Sequence, residues 1–343
     1  MGSRGRRGKP TITDVARRAG VSKSLVSLVM RGARHVSPKR RAAVQAAAAA
    51  LGYRPNAMAR GLVQRRTGIL GVLSSDLHNP FFADVVDGIH EQAGRAGYRV
   101  LVTTGGRNPD REDAAIETLL QLRVDGLILA GVLVESRLIV DASRELPVVL
   151  VGRSARALSL DSVTNDDWAG AVAAVRHCAS LGHRSIAHVD GGQGAGADAR
   201  RGGYEEAMRD LRLGKYRLVA PGSFTEEGGH SGGLVLLEHK PRPTAIFAAN
   251  DLAAIGVLNA IEERGLRVPG DLSLVGYDNT SLAALRHLSL TTVHQPRLEM
   301  GQMAVSILME RLEEGRTKPR RAVLSPSLVV RGTTAPPPDR VAS

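Results

Sequence analysis

The sequence predicts a small all-α helix-turn-helix head followed by a larger α/β core built as two doubly wound parallel-sheet lobes. Three observations predict it. Positive charge is concentrated in the first fifth of the 343-residue chain: residues 1–66 hold 16 Lys and Arg against the single acidic residue Asp14, a net +15, whereas the remainder holds 30 basic and 33 acidic groups, a net −3. That same stretch carries helix caps around short apolar stripes. Beyond it, short apolar strands alternate with stretches of 3.6-residue period.

Composition bounds the function. With 43% hydrophobic and 23% charged residues the chain is a globular protein with enough apolar surface to build more than one core. Cys178 is the single cysteine, which excludes an internal disulfide framework and a cysteine-cluster metal site and fits a reducing cytoplasm. The basic N-terminus leads into no apolar segment, and no run of 18 apolar residues occurs, so neither secretion nor membrane spanning is expected. A near-neutral body with a strongly basic head is the pattern of a nucleic-acid-binding module on a separate domain. A solvated cationic tail is the alternative, and the helical punctuation of this stretch speaks against it.

Thr11-Ile12-Thr13-Asp14 fits a capping box, Thr11 accepting from a first-turn N–H and Asp14 reaching back to the cap. The helix that starts there turns Val15, Ala16 and Ala19 toward a core and ends at Gly20. Ser22 caps a second helix in which Leu25, Val26 and Val29 form one stripe, with Lys23, Ser24, Ser27 and Leu28 on the other faces. Joined by the Gly20-Val21-Ser22 turn, the two make a helix-turn-helix whose second helix can enter a major groove. Ser37-Pro38 opens a third helix, an Ala-rich run that stops at Gly52. Periodicity alone leaves Leu28 two readings, outward toward DNA or inward into the bundle.

Thr11-Ile12-Thr13-Asp14-Val15-Ala16, Ala19-Gly20-Val21-Ser22, His35-Val36-Ser37 and Leu51-Gly52-Tyr53-Arg54-Pro55-Asn56 come in an order and at a spacing that resemble the LacI/GalR family of bacterial transcription regulators. The resemblance continues through the rest of the chain. It implies that Thr11, Ser22, Lys23, Ser24, Ser27, Leu28, Arg31, Asn56, Ala59 and Leu62 contact DNA, with Lys23, Ser24 and Leu28 facing the major groove. Two of these depart from the family pattern. Leu28 stands where Arg is usual, replacing a bidentate guanine contact by an apolar one, for instance to a thymine methyl. Arg31 stands where Asn is common and offers a phosphate contact instead.

Pro55 interrupts the third helix, and the segment from Asn56 to Leu62 is too short to hold a helix alone. A plain linker is one reading. The resemblance implies a hinge helix that folds on the operator, pairs with its copy from a second protomer and wedges Leu62 into the minor groove. Gly61 is a further departure, costing a helix roughly 1 kcal/mol relative to Ala.

After Arg66 the strand candidates are Gly68 to Leu73, Arg99 to Thr103, Gly126 to Leu129, Val148 to Val151, Ser185 to Val189, Thr244 to Ala248 and Leu272 to Val275. Asp84 to Ala96 and Leu252 to Arg264 are helical in period. So many β-α units exceed one small sheet, and two facing lobes would place a ligand cleft at the carboxyl ends of the strands. The resemblance implies the same periplasmic-binding-protein-like core, with crossovers near Thr164, His294 and Ser325. The expected division is residues 1–54 for the head, 55–66 for the hinge and 67–333 for the core. Lobe 1 covers about 67–164 and 295–324, lobe 2 about 165–294 and 325–333, and 334–343 form a disordered tail.

Strand ends supply the candidate ligand groups: Asp76 and the Asn79-Pro80-Phe81-Phe82 motif, then Asp166, Arg200, Asn250 and Asp278. The resemblance implies Phe82 and Phe224 as apolar walls and Gln295 beside a crossover, and sets Arg200, Asn250 and Asp278 most directly on the effector. Carboxylates, an amide and a guanidinium beside an aromatic face suit a small polyhydroxylated ligand such as a sugar or sugar derivative. Each acidic residue taken singly also reads as a helix cap.

Two other functions compete. Gly192-Gln193-Gly194-Ala195-Gly196-Ala197 matches the G-x-G-x-x-A of dinucleotide-binding oxidoreductases, but deep in the chain and away from a first β-α-β unit. A secreted solute-binding protein would explain the lobes but not the basic head. No phosphate-loop, zinc-peptidase or nucleophile-elbow signature occurs. The expectation is therefore a cytoplasmic homodimeric repressor, not an enzyme, with no cofactor or metal. It reads an inverted-repeat operator in double-stranded DNA under control of a small-molecule effector and has no membrane partner.

Overall fold

The structure is a computed structural model that describes residues 10–30, 32–33, 35–53, 66–133, 137–153 and 160–338. It divides into a helical head within Met1–Thr67 and an α/β core over Gly68–Ser343. Arg31 and the hinge positions Asn56, Ala59 and Leu62 lie outside the described residues.

The head holds α1 (Ile12–Ala19), α2 (Lys23–Met30) and α3 (Pro38–Leu51). Both halves of the capping box form: Asp14 N–H donates to Thr11 Oγ1 at 3.4 Å, and Thr11 N–H to Asp14 Oδ2 at 3.0 Å. Gly20 closes α1 at φ +65°, a left-handed backbone that glycine adopts without strain. Ser22 caps α2 through the Leu25 N–H at 3.2 Å. Ser37 holds the N-cap position of α3 with Pro38 following, yet its hydroxyl makes no cap bond. Val15, Val26 and Val44, one from each helix, are fully buried and form the centre of a small apolar core with Val29, Val36, Ala47 and Ala48.

Lobe 1 contains β1 (Ile69–Ser74), α4 (Pro80–Arg95), β2 (Arg99–Thr104), α5 (Pro109–Gln121), β3 (Gly126–Ala130), α6 (Arg137–Glu145), β4 (Val148–Val151) and β5 (Asp161–Asn165). The chain then enters lobe 2 with α7 (Asp167–Ser180), β6 (Ile186–Val189), α8 (Ala197–Asp210), β7 (Leu218–Ala220), α9 (Glu226–Glu238), β8 (Ala245–Ala248), α10 (Asp251–Glu263), β9 (Ser273–Asp278) and β10 (Thr291–His294). It returns to lobe 1 for α11 (Arg297–Leu312) and β11 (Arg321–Leu324), and ends in lobe 2 with β12 (Ser327–Val329). The two sheets run β11-β5-β4-β3-β1-β2 and β12-β10-β9-β8-β6-β7. Their pairings are parallel except for β12, which lies antiparallel to β10. Helices cover both faces of each sheet, which is why β3, β4, β6 and β8 are buried along their whole length. Where α4 crosses α11, a Cβ on Gly88 would collide with the Leu298 carbonyl and one on Gly301 with the Val85 carbonyl, so only glycine permits that approach.

All seven expected strands form. The expected tail does not match the structure over its first part. Thr334 Oγ1 meets His177 Nε2 at 3.0 Å, Ala335 N–H donates to Ser273 Oγ at 3.0 Å, and the Ala335 carbonyl lies 2.8 Å from His183 Nε2. His183 is buried and needs polar partners, and the passing backbone supplies one. Residues 334–338 are thus part of lobe 2.

His188 in β6 is fully buried, stacked between Tyr204 and Phe247 at centroid distances of 5.3 and 4.8 Å. Its Nδ1 donates to the Phe247 carbonyl at 2.9 Å, while Nε2 has no partner among the described residues, so the ring is neutral. Burial lowers its pKa from 6.5 to about 4. Between those values the unfolded chain binds the proton and the folded chain does not, so core stability rises with pH across that window by roughly 3 kcal/mol. His188→Phe is expected to remove that rise. Urea midpoints of both proteins at pH 5 and pH 7 check it, and the difference between them isolates His188 from carboxyl groups titrating nearby. Equal pH slopes would refute the assignment.

Candidate functional site

The outer face of α2 is exposed. On α2, Val26 and Val29 point into the bundle, which leaves Ser22, Lys23, Ser24 and Leu28 exposed and Ser27 half-buried. Leu28 is 40% exposed, so it does not pack within the bundle. A leucine held outward on α2 can meet a base edge, and Lys23 at the start of the helix can meet a base or an adjacent phosphate. The Thr11 hydroxyl lies just before α1 but is engaged, donating to Asp14 Oδ2 at 2.7 Å.

The core offers a cleft. A cavity of about 500 Å³ lies between the carboxyl ends of the two sheets, the place where open α/β sheets bind ligands. Lobe 1 contributes Ser75, Asp76, Asn79, Phe82, Arg107 and Leu133 to its wall, and lobe 2 contributes Asp167, Gln193, Arg200, Ser223, Phe224, Asn250 and Asp278, with Gln295 at a crossover.

Arg200 organises the lobe 2 wall. Its guanidinium lies 3.8 Å from the Tyr277 ring centroid and 5.0 Å from that of Phe224. Nε donates to Asp167 Oδ1 at 3.0 Å, Nη1 to the Ala249 carbonyl at 2.6 Å, and Asp278 Oδ1 stands 3.8 Å away. Burial works against the charge, but Asp167 and Asp278 outweigh it and hold the Arg200 pKa above its ordinary value. Asp278 is pushed up to about 7, by burial first, with Arg200 pulling the other way. It sits at the end of β9 with φ +109°, a conformation that L side chains rarely adopt, and accepts from Gln295 Nε2 at 2.6 Å. Such backbone strain at a cleft is the kind that surrounding contacts must hold in place. Asn250 serves twice: Oδ1 caps α10 through Ala253 N–H at 2.8 Å, and Nδ2 donates to the Phe224 carbonyl at 3.3 Å.

The cleft therefore gathers Asp76, Phe82, Arg200, Phe224, Asn250, Asp278 and Gln295 from the expected set. Asp166 is not on its wall. Its carboxylate caps α7 through Ala169 N–H at 3.0 Å, and the next residue, Asp167, one helical step round, faces Arg200 instead. Asn79 and Phe81 of the Asn79-Pro80-Phe81-Phe82 motif also reach the wall, whereas Ser75, Arg107, Gln193 and Ser223 lie outside the expected set. The strand-end rule could have found Arg107, three residues beyond β2, but Gln193 and Ser223 come from loops that carry no periodic signal.

The glycine loop before α8 has a different task from dinucleotide binding. Cβ atoms on Gly191 or Gly194 would strike the Phe224 ring, so these glycines seat that ring. The Asp167 carboxylate crowds Gly196 at the start of α8, where a pyrophosphate would have to lie. Among the described residues no group of three His, Cys, Asp or Glu could hold a metal, and no helix is long and apolar enough to cross a membrane.

A helix-turn-helix head on a two-lobed binding core defines a transcriptional regulator and not an enzyme. Residues 11–56 match the family described as "Bacterial regulatory proteins, lacI family", and residues 175–334 match "Periplasmic binding protein-like domain". The chain is 35% identical over 336 residues to the HTH-type transcriptional repressor PurR of Proteus mirabilis, covering 96% of this chain and 98% of that protein. The chain belongs to the lacI family of bacterial regulatory proteins. It is also 34% identical over 323 residues to the ribose operon repressor of Haemophilus influenzae, covering 94% of this chain and 97% of that one. Among solved structures it is similar to the lac repressor dimer bound to operator and the anti-inducer ONPF, at 31% identity and a TM-score of 0.83 over 95% of this chain and 99% of that chain.

Proposed function

We propose that the protein is a cytoplasmic repressor that binds an inverted-repeat operator as a homodimer and releases or tightens its grip when a small polar effector, such as a sugar, occupies the interlobe cleft. One helix-turn-helix takes each half-site, with Lys23, Ser24 and Leu28 at the bases and Thr11, Ser22, Ser27 and Arg31 at or near the backbone. Asn56, Ala59 and Leu62 form the paired hinge at the centre, since one head alone reads too few base pairs to be selective. The effector contacts are Asp76, Phe82, Arg200, Phe224, Asn250, Asp278 and Gln295, with Asp167 in the place of Asp166. The observation that carries the reading is the cleft itself, a cavity walled from both lobes by two phenylalanines and a guanidinium fixed between carboxylates. The lac repressor dimer on its operator and the ribose operon repressor, similar along nearly the whole chain, support it. An effector that fits one arrangement of the lobes better than the other shifts their equilibrium, and the sign of the response follows from which arrangement it favours.

Selection of binding sites from random duplex DNA by the full-length protein tests the reading. A two-fold symmetric motif is expected, with affinity falling steeply as salt rises. Leu28→Arg is expected to move one position of each half-site toward guanine, by about 1–3 kcal/mol of discrimination. Recovery of no preferred motif would overturn the operator function, and an identical motif for the variant would take Leu28 off the bases.

A further inference from the structure

We propose that the effector carries an oxyanion, a carboxylate or a phosphate, on its polyhydroxylated frame, and that Arg107 and Asn79 form the subsite that receives it. The proposal rests on the reading of the cleft as the effector site and names the ligand class that this site takes.

The two cavity arginines stand in different states. Arg200 is neutralised before any ligand arrives, by Asp167 and Asp278. Arg107 makes no ion pair with any described residue, although Asp76 shares the same wall of the cavity. Its position is built. Register pairs Ser74 of β1 with Thr104 of β2, so the loops leaving these two strands run side by side. Arg107 N–H donates to the Ser75 carbonyl at 2.9 Å and ties one loop to the other. The backbone there is left-handed, φ +59°. Arg123 and Arg212 share that conformation but lie exposed in solvent, whereas Arg107 is half-buried on the cavity wall.

Asn79 supplies the second donor from the neighbouring loop. It is 6% exposed, and its Oδ1 accepts from Phe81 N–H at 3.0 Å, which fixes the amide orientation. Nδ2 is then left as a donor with no partner among the described residues, on the wall of the same cavity. A guanidinium and an amide N–H₂, both without acceptors among the described residues, suit an oxyanion, and the planar fork of Arg favours a carboxylate or phosphate over a single hydroxyl. Asp76 and Asp278 remain on the wall to accept from hydroxyls, so the ligand combines both kinds of group.

The test uses the full chain and matched probes: D-glucose against D-gluconate, D-glucuronate and D-glucose 6-phosphate, and D-ribose against D-ribose 5-phosphate. Binding is read by thermal shift and by fluorescence of Trp168, the one tryptophan, which follows Asp167 directly on α7. At least one acidic member is expected to bind tenfold or more tighter than its neutral parent. Arg107→Gln should bring that ratio close to one, and Asn79→Ala should reduce it less. The carboxylate and phosphate arms identify the oxyanion. Tighter binding of the neutral parents, or an acidic preference unchanged in Arg107→Gln, would overturn the subsite and leave the cleft reading standing. Binding that survives Phe224→Ala at full strength would place the ligand elsewhere and overturn both, as would no binding by any member.

Discussion

Removing residues 1–66 is expected to abolish specific operator binding, a loss of roughly a thousandfold or more, while leaving a folded core that still responds to ligand in a thermal-shift assay. The deleted segment carries the net +15, and what remains is net −3. With the excess positive charge gone, most of the salt-dependent part of the affinity is lost along with the base contacts. Folding should survive because the core packs around its own four apolar clusters, two per lobe, none of which uses a head residue. Fluorescence anisotropy with labelled operator at two salt concentrations, beside a melting curve of the truncated chain, checks both halves. Retained operator affinity would refute the modular division of labour, and so would loss of folding.

Arg200→Ala is expected to weaken effector binding by roughly a hundredfold or more while operator affinity without effector stays near that of the wild type. The guanidinium fixes Asp167, crosses the Tyr277 face and stands beside Asp278, so its removal takes away a ligand donor and leaves two buried carboxylates uncompensated. Asp278, already near 7, would then lose the charge that pulls its pKa down and would bind a proton at neutral pH. Arg200→Lys should not rescue, because an ammonium cannot reach Asp167 and the Ala249 carbonyl in one plane while lying flat between two rings. Should Arg200→Ala fold poorly, Phe224→Ala removes a half-exposed cleft wall and serves instead. Effector titrations of operator binding decide the matter, and an unchanged response in both variants would remove Arg200 and Phe224 from the site.

Much of the fold was legible because local signals and tertiary outcome agree. The Thr11 to Asp14 capping box and the Gly20 and Gly52 stops are decided by interactions within a few residues, and the seven strands carry a local apolar pattern, so all of them read directly off the chain. The strands not picked out are the polar or very short ones. β5 reads Asp-Ser-Val-Thr-Asn and forms because distant residues receive its acid: Asp161 accepts from Arg311 Nε at 2.5 Å, Arg316 Nη1 at 2.9 Å and Arg320 N–H at 2.6 Å. β7 has three residues, β10 is a polar stretch of four, and β11 and β12 are edge strands formed after crossovers on partners far away in sequence. The tail was misread for the same reason, since its partners His177, His183 and Ser273 are elsewhere in the chain.

By itself the sequence determined the two-part plan, the helix-turn-helix and the α/β alternation, because these follow from charge distribution, helix caps and hydrophobic period. Only the tertiary structure decided which of two neighbouring aspartates turns into the cleft, which of two cavity arginines is already neutralised, and that Leu28 faces outward. Those choices depend on a single helical step, or on the distance between groups brought together from separate strands, and neither is encoded in any local stretch of chain.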